Sequence, residues 1–366
     1  NRRSFLTPEK NTDFERGPLS GIKVLDLSSV VSGPMAAVIL ADQGASVIKV
    51  EPPGWGDGIR GLGASRNGLS AIYSMINRNK QSIGVNIKHP KGRDIILSLA
   101  ESCDVLLQNY RPGKMEKIGL DYEAVSAICP EIVYTSITGV GRVGPLAKQK
   151  VYDYVIQALS GALDSNFNTN ELSMVRTIIY DKVTALTAAQ GITAALLARE
   201  RGAGGQHVEL SMLDTALYFN WADLMWNYSF EGAGVQICGD LVDAAGISET
   251  SDGAVVSPYM GADCSGYASE ELIELLSMHE IPAARINRRF EVASNPQVIA
   301  SESLRSFNHP RGGSMKQAKS PARFSKTPLP DPEPSVDLGE HTVEILSELG
   351  LSLVEMQDLA RQGVLC

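Results

Sequence analysis

Ile22-Lys23-Val24-Leu25-Asp26-Leu27, then Pro34 and a helical stretch over 35–43, then Val47-Ile48-Lys49-Val50: this alternation decides the fold. Two short apolar runs flank a run of helix formers, the pattern of a βαβ unit. Pro34 suits the first turn of the helix, where its missing N–H leaves no bond unmade. Apolar runs over 95–101, 105–109 and 132–138 continue the strand–helix alternation. The expected class is α/β, a Rossmann-like large domain with a parallel sheet, plus a smaller α/β domain. Such a sheet places its ligand at the carboxyl ends of its strands. The loop after the first run, Ser28-Ser29-Val30-Val31-Ser32-Gly33-Pro34, lacks the Gly-x-Gly-x-x-Gly that lets backbone approach a pyrophosphate. A nicotinamide or flavin dinucleotide is therefore not expected, although Glu51 falls near the place of a ribose-binding acid.

A second stretch carries candidate chemistry. Ile178-Ile179-Tyr180-Asp181 is followed by Lys182-Val183-Thr184-Ala185-Leu186-Thr187-Ala188-Ala189, a run of small and apolar residues. That run predicts a closely packed helix with Asp181 at or near its N-terminus. Read alone, Asp181 is an N-cap, accepting bonds from exposed N–H groups at the positive end of the dipole.

Composition narrows the partners. The chain has 366 residues and a formal net charge of −9, which disfavours nucleic acid and anionic membranes, since both need a basic surface. No apolar stretch reaches the length of a membrane span. Arg2-Arg3-Ser4-Phe5-Leu6 resembles an export signal superficially, but the polar residues that follow supply no apolar region. The five cysteines show no metal-ligand spacing, so no metal is expected, and a reducing, cytoplasmic setting fits.

Further motifs stand in order along the chain: Gly17-Pro18-Leu19-Ser20-Gly21, Leu40-Ala41-Asp42-Gln43-Gly44, Asn77-Arg78-Asn79-Lys80, Asn109-Tyr110-Arg111-Pro112-Gly113, Val151-Tyr152-Asp153-Tyr154 and Gly205-Gln206-His207-Val208-Glu209. Each is weak alone. Together with Asp181 they resemble the family III CoA-transferases, the group of formyl-CoA and carnitine CoA-transferases that also contains the α-methylacyl-CoA racemases. The resemblance implies that Asp181 is the acyl-accepting nucleophile, working on an acyl-CoA and a small carboxylic acid with no permanently bound cofactor. It implies a homodimer of interlocked rings. It also puts Val30, Val31 and Ser32 beside the nucleotide, and Arg60, Lys80, Asn109, Tyr110, Lys117 and Lys150 near phosphates or adenine. In the racemase branch a His precedes the Asp matching Asp153, and Tyr152 stands there instead. A phenol titrating near ~10 is a poor base, so the transferase branch is favoured. Tyr152 remains a candidate for the catalytic centre. The alternatives are an acyl-CoA racemase and a non-catalytic CoA-binding protein.

The organisation follows from composition and resemblance. Residues 1–16 read as a mobile arm, 17–220 as the large CoA-binding domain, 221–327 as linker and small domain, and 328–366 as a return to the large domain. A turn into a strand is expected over 250–257, a helix over 270–278, a strand over 283–285, a stiff linker over 328–334 and a helix over 340–349. Gly232-Ala233-Gly234 and Gly261 only partly match a glycine lid, and none is assigned. Near 263–270 the chain is several tens of residues shorter than the family pattern. Residues absent between Asp263 and Glu270 are expected rather than a true deletion, because removing helices from a small domain would expose its core.

Overall fold

The structure is a computed structural model that describes residues 17–164, 173–258 and 263–366. Strand β1 (Lys23–Asp26), helix α1 (Ser32–Asp42) and β2 (Ser46–Glu51) form the first βαβ unit. The short strands β3 (Ser65–Arg66) and β4 (Leu69–Ser70) lead through α2 (Ala71–Ile76) to β5 (Lys80–Gly84). Next come α3 (Pro90–Ala100), β6 (Val105–Gln108), α4 (Lys114–Ile118), α5 (Tyr122–Ser126) and β7 (Val133–Thr138). The large domain closes with α6 (Asp153–Leu159), α7 (Ile179–Ala198), β8 (Gln206–Ser211) and α8 (Met212–Asn220).

Six strands pair in parallel in the order β5-β2-β1-β6-β7-β8. This is the doubly wound order, and its direction reverses between β1 and β6. The loops leaving those two strands part there and open a crevice. Both faces of the sheet are covered, which is why its central strands read as continuous apolar runs rather than alternating ones. On one face Ala185, Ala188, Ala189, Ile192 and Ala195 of α7 pack on Ala36, Ala37, Leu40 and Ala41 of α1. Small side chains on both helices let the backbones approach closely. That contact carries Asp181, in the first turn of α7, up to the start of α1.

The smaller unit begins with β9 (Gly246–Thr250) and β10 (Gly253–Ser257), a hairpin turned at Ser251-Asp252. Helix α9 (Ser269–Met278) packs Leu272 and Leu276 against Val255 and Cys264, and β11 (Ala284–Arg285) adds an antiparallel edge. Cys264 bridges to Thr250, so the chain immediately beyond Asp263 is tied to the hairpin. Helix α10 (Pro296–Ala300) precedes a second hairpin, β12 (Leu304–His309) and β13 (Gly313–Ala318). That hairpin reaches the large domain, where Asn67 Nδ2 donates to the Arg311 carbonyl at 2.9 Å.

The C-terminal stretch ends in α11 (Thr342–Glu348) and α12 (Leu353–Arg361). Ile345, Leu346, Met356, Leu359 and Leu365 join the core on the sheet face opposite α7. Helix α1 starts three residues before the expected position, and α11 is shorter than the expected 340–349. Strands β5 and β8, the β12–β13 hairpin and α12 were not expected from the sequence. The arm over 1–16, and Gly261 with its neighbours over 259–262, lie outside the described residues. Among the described residues no helix is long and apolar enough to cross a membrane.

Candidate active site

The crevice is shaped by the loop that leaves β1. Val30 adopts φ +70°, a left-handed conformation that a β-branched side chain resists. Such strain persists only where neighbours over-determine it. Here the Val30 amide donates to both carboxylate oxygens of Asp57, at 3.1 and 3.2 Å. One residue earlier, the Ser29 amide donates to Asn109 Oδ1 at 2.9 Å, and Asn109 Nδ2 donates back to the Ser29 carbonyl at 2.7 Å. Asn109, just beyond β6, therefore ties the two sides of the crevice together. Gly33 lets α1 begin against β1, since a Cβ there would lie 2.2 Å from Ser28 Cβ.

Beneath this loop lies a buried ionic network. Lys80 Nζ donates to Asp26 Oδ2 at 3.0 Å, to the Pro34 carbonyl at 2.8 Å and to Asn77 Oδ1 at 2.9 Å. Lys49 Nζ donates to the Ser28 carbonyl at 3.0 Å and pairs with Asp57 at 3.0 Å. Burial works against ionised Asp26, yet Lys80 and Lys49 hold its carboxyl below the usual range. Burial also pushes Lys80 down to about 8, with Asp26 opposing the shift and Lys49 adding to it. Glu51 accepts from Arg60 Nε at 2.7 Å and Nη2 at 2.6 Å, from Ser82 Oγ at 2.8 Å and from the Asp57 amide at 2.9 Å. Burial opposes ionised Glu51, but Arg60 and Lys49 bring it down to about 2. Each charge is paired, as burial requires.

This corrects the placement of two expected phosphate contacts. Lys80 is 4% exposed with all three ammonium protons donated, and Arg60 is spent on Glu51 and stacked 4.0 Å over the Tyr73 ring. Both side chains are committed to partners within the protein. Glu51, near the place of a ribose-binding acid, belongs to the same network.

Asp181 is not the cap of its helix. It is the third residue of α7, and Asp153 caps that helix from α6. Asp153 Oδ1 accepts from the Tyr180 amide at 2.7 Å and the Asp181 amide at 3.2 Å, while Gln157 Nε2 donates to its other oxygen at 2.6 Å. The Asp181 carboxylate is thus left for other work. Burial pushes it up to about 6, Asp153 adds to the shift, and the Ser32 amide pulls it back. At neutral pH it remains mostly ionised and poorly solvated.

Two cavities meet at this carboxylate. One, of about 1170 Å³, is lined by Val30, Val31, Ile59, Leu62, Ile72, Tyr152, Met174, Val175, Arg176, Ile178 and Asp181, among others. The other, of about 350 Å³, includes Ser29, Val30, Val31, Ser32, Asn109, Tyr110, Arg111, Gln149, Lys150, Tyr152 and Asp181. Val30, Val31, Tyr152 and Asp181 belong to both. The first is mainly apolar. The second carries cations and amides and occupies the crevice between β1 and β6. Lys150 Nζ lies 4.9 Å from the Tyr152 ring centroid, a cation–π distance.

The structure therefore brings Asp181, Tyr152, Val30, Val31, Ser32, Asn109, Tyr110 and Lys150 together. Arg60, Lys80 and Lys117 line neither cavity, and Lys117 sits exposed on α4. Sequence reasoning missed Arg111, Gln149 and Arg176. Arg111 stood inside a quoted motif; Gln149 and Arg176 lie in stretches with no local pattern to mark them.

Known proteins resemble this chain over most of its length. A family model described as CoA-transferase family III matches residues 19–263 and 244–342. The succinyl-CoA:glutarate CoA-transferase of Homo sapiens is 32% identical over 395 positions, covering 95% of this chain and 90% of that protein. That match is longer than the chain itself, so its alignment opens gaps on this side. The formyl-CoA:oxalate CoA-transferase of Bradyrhizobium diazoefficiens is 31% identical, covering 95% of this chain and 97% of the relative. A solved CaiB/BaiF family protein from Brucella suis superposes with a TM-score of 0.78 at 27% identity, covering 91% of this chain and all of that one.

Proposed function

The chain belongs to CoA-transferase family III, and on that premise we propose that Asp181 carries CoA between two acids covalently. The observation that supports this most is the carboxylate's position in the wall shared by the two cavities, free of the capping duty that Asp153 performs. In the proposed cycle an Asp181 oxygen attacks the thioester carbonyl of the donor. The C–S bond breaks, CoA leaves as thiolate, and a mixed anhydride remains. The thiolate then attacks the Asp181 carboxyl carbon, releasing the donor acid as carboxylate and leaving an enzyme–CoA thioester. An acceptor carboxylate attacks that thioester, CoA leaves again, and it takes the acceptor acyl group from the new anhydride. Asp181 returns as carboxylate, with no net change in protons or electrons. Splitting one exchange into such steps is the gain of covalent catalysis.

The polar crevice suits the CoA side, with Lys150 and Arg111 for phosphates and Tyr110 for adenine. The Ser32 amide, already directed at Asp181, is placed to steady the oxyanion. Partial burial favours attack because a poorly hydrated carboxylate has less solvent to shed. To test the assignment, the enzyme is quenched during turnover with an acyl-CoA and its peptides are weighed. A CoA thioester or, with hydroxylamine, a hydroxamate on Asp181 is the expected product; label on another residue, or on none, overturns it.

A pH profile follows from the raised carboxyl. Only ionised Asp181 attacks, so kcat/KM for the acyl-CoA should fall about tenfold per pH unit below about 6. A profile flat down to pH 4.5 would show that Asp181 is not titrating in the reaction.

A homodimer is part of the proposal. Tyr218, Tyr228, Phe230, Ile237, Leu241 and Val242 are all more than half exposed along 218–242, where little regular structure covers them. An apolar strip of this length calls for a covering surface, and a second copy supplies one. Light scattering at micromolar concentration should return twice the chain mass. A clean monomer would refute the assembly.

A further inference from the structure

We propose that His207 is a positioning residue for the crevice between β1 and β6: through Ser136 and Gln108 it fixes the Tyr110 amide and so one wall of that crevice. This rests on the reading of the crevice as the CoA side.

Three strands deliver the chain of bonds in register. Gln108, Ser136 and Glu209 stand opposite one another across β6, β7 and β8, and His207 lies two residues before Glu209 on the same face. Gln108 and Ser136 are 6% and 5% exposed. The Tyr110 amide donates to Gln108 Oε1 at 2.7 Å, and Gln108 Nε2 donates to Ser136 Oγ at 2.9 Å. Ser136 Oγ in turn lies 2.8 Å from His207 Nε2.

The amide sets the direction of every link. A backbone N–H can only donate, so Gln108 turns its oxygen to Tyr110 and its nitrogen to Ser136. Ser136 keeps its single proton for His207 Nε2, which accepts it as the neutral Nδ1–H tautomer. Burial holds the imidazole below its usual range and Arg142 adds to this, while Glu209, Glu123 and Glu116 oppose it. The ring itself is fixed. It stacks on Tyr122 at 4.9 Å between centroids and meets Tyr134 edge-on at 5.3 Å.

The far end of the chain is the crevice wall. Tyr110, Arg111, Pro112 and Thr138 border both the crevice and a hollow of about 20 Å³ that His207 also borders. A wall already ordered before the ligand arrives spares the ordering cost of binding.

The test titrates purified full-length protein with free coenzyme A by calorimetry. His207→Phe keeps a ring on Tyr122 but has no acceptor, and should weaken binding by about 3- to 10-fold, the worth of one neutral hydrogen bond. His207→Gln returns an acceptor and should restore most of the affinity. Adding Ser136→Ala to His207→Phe should weaken binding no further, because the two act in one chain. Should His207→Phe not fold, Ser136→Ala alone breaks the next link and carries the same expectation. Ring nitrogen-15 spectra at pH 7.5, with His207 assigned by its loss in the variant, should show the neutral Nδ1–H imidazole. Unchanged affinity in His207→Phe overturns the proposal, as does an Nε2–H tautomer or a loss that His207→Gln fails to restore. Wild-type protein that binds no coenzyme A would instead sink the reading of the crevice beneath it.

Discussion

Asp181→Asn is expected to lower turnover by about 10⁴-fold or more while making the protein more stable at neutral pH. Asn is nearly isosteric but cannot form the anhydride, so the covalent route closes. The stability gain comes from the carboxyl's raised proton affinity. Its folded value is about 6, against 3.8 for the unfolded reference. The native state therefore binds the extra proton between those values, and stability is lost as pH rises through about 6. At pH 7.5 the ionised group costs about 3 kcal/mol, which the neutral amide avoids. Thermal unfolding should show Asp181→Asn a few degrees above wild type at pH 7.5, with the advantage gone near pH 4. An inactive variant that is also less stable would identify Asp181 as structural. Near-normal turnover would end its assignment as nucleophile.

The second large effect concerns the ionic network. Asp26→Ala should cost about 3–5 kcal/mol, because it leaves Lys80 and Lys49 buried without their shared counter-charge. That is a large part of an ordinary domain's stability. Urea unfolding would report it as a lower midpoint. Pairing Asp26→Leu with Lys80→Met should recover much of the loss, because neither charge is then stranded. A double variant as unstable as the sum of the singles would show that Asp26 and Lys80 are not coupled.

How much was legible depended on the range of the interaction. The first βαβ unit could be read because Val24-Leu25 and Val47-Ile48, with Val50, mark its two strands on either side of a run of helix formers, although Asp26, Lys49 and Glu51 in the same strands are charged and buried. Helix α7 could be read from its small residues. Strand β5 escaped, since Lys80 and Ser82 are polar in sequence yet buried by partners far along the chain. The β12–β13 hairpin escaped for a similar reason: Arg305, Asn308, His309, Lys316 and Gln317 hide its alternation. For α12 a signal was present and unused, the capping box of Ser352 and Glu355.

At the site, sequence position marked Asp181 but could not say who caps its helix. The answer lay 28 residues away in Asp153. Lys80 and Arg60 look in sequence like free cations. Only folding reveals Asp26 and Glu51 as their partners. Tyr110 and Lys150 both border the crevice, because strand ends and the loops beyond them converge there.

The wall common to the two cavities has a consequence for engineering the protein. Four residues, Val30, Val31, Tyr152 and Asp181, belong to both chambers, whereas the segment 173–178 borders one and the stretches 109–112 and 149–151, with Ala147, border the other. Substitutions in 173–178 can therefore reshape the wall of the larger chamber without replacing any side chain that lines the smaller one. A laboratory library confined to those six positions would vary one chamber while holding the lining of the other constant.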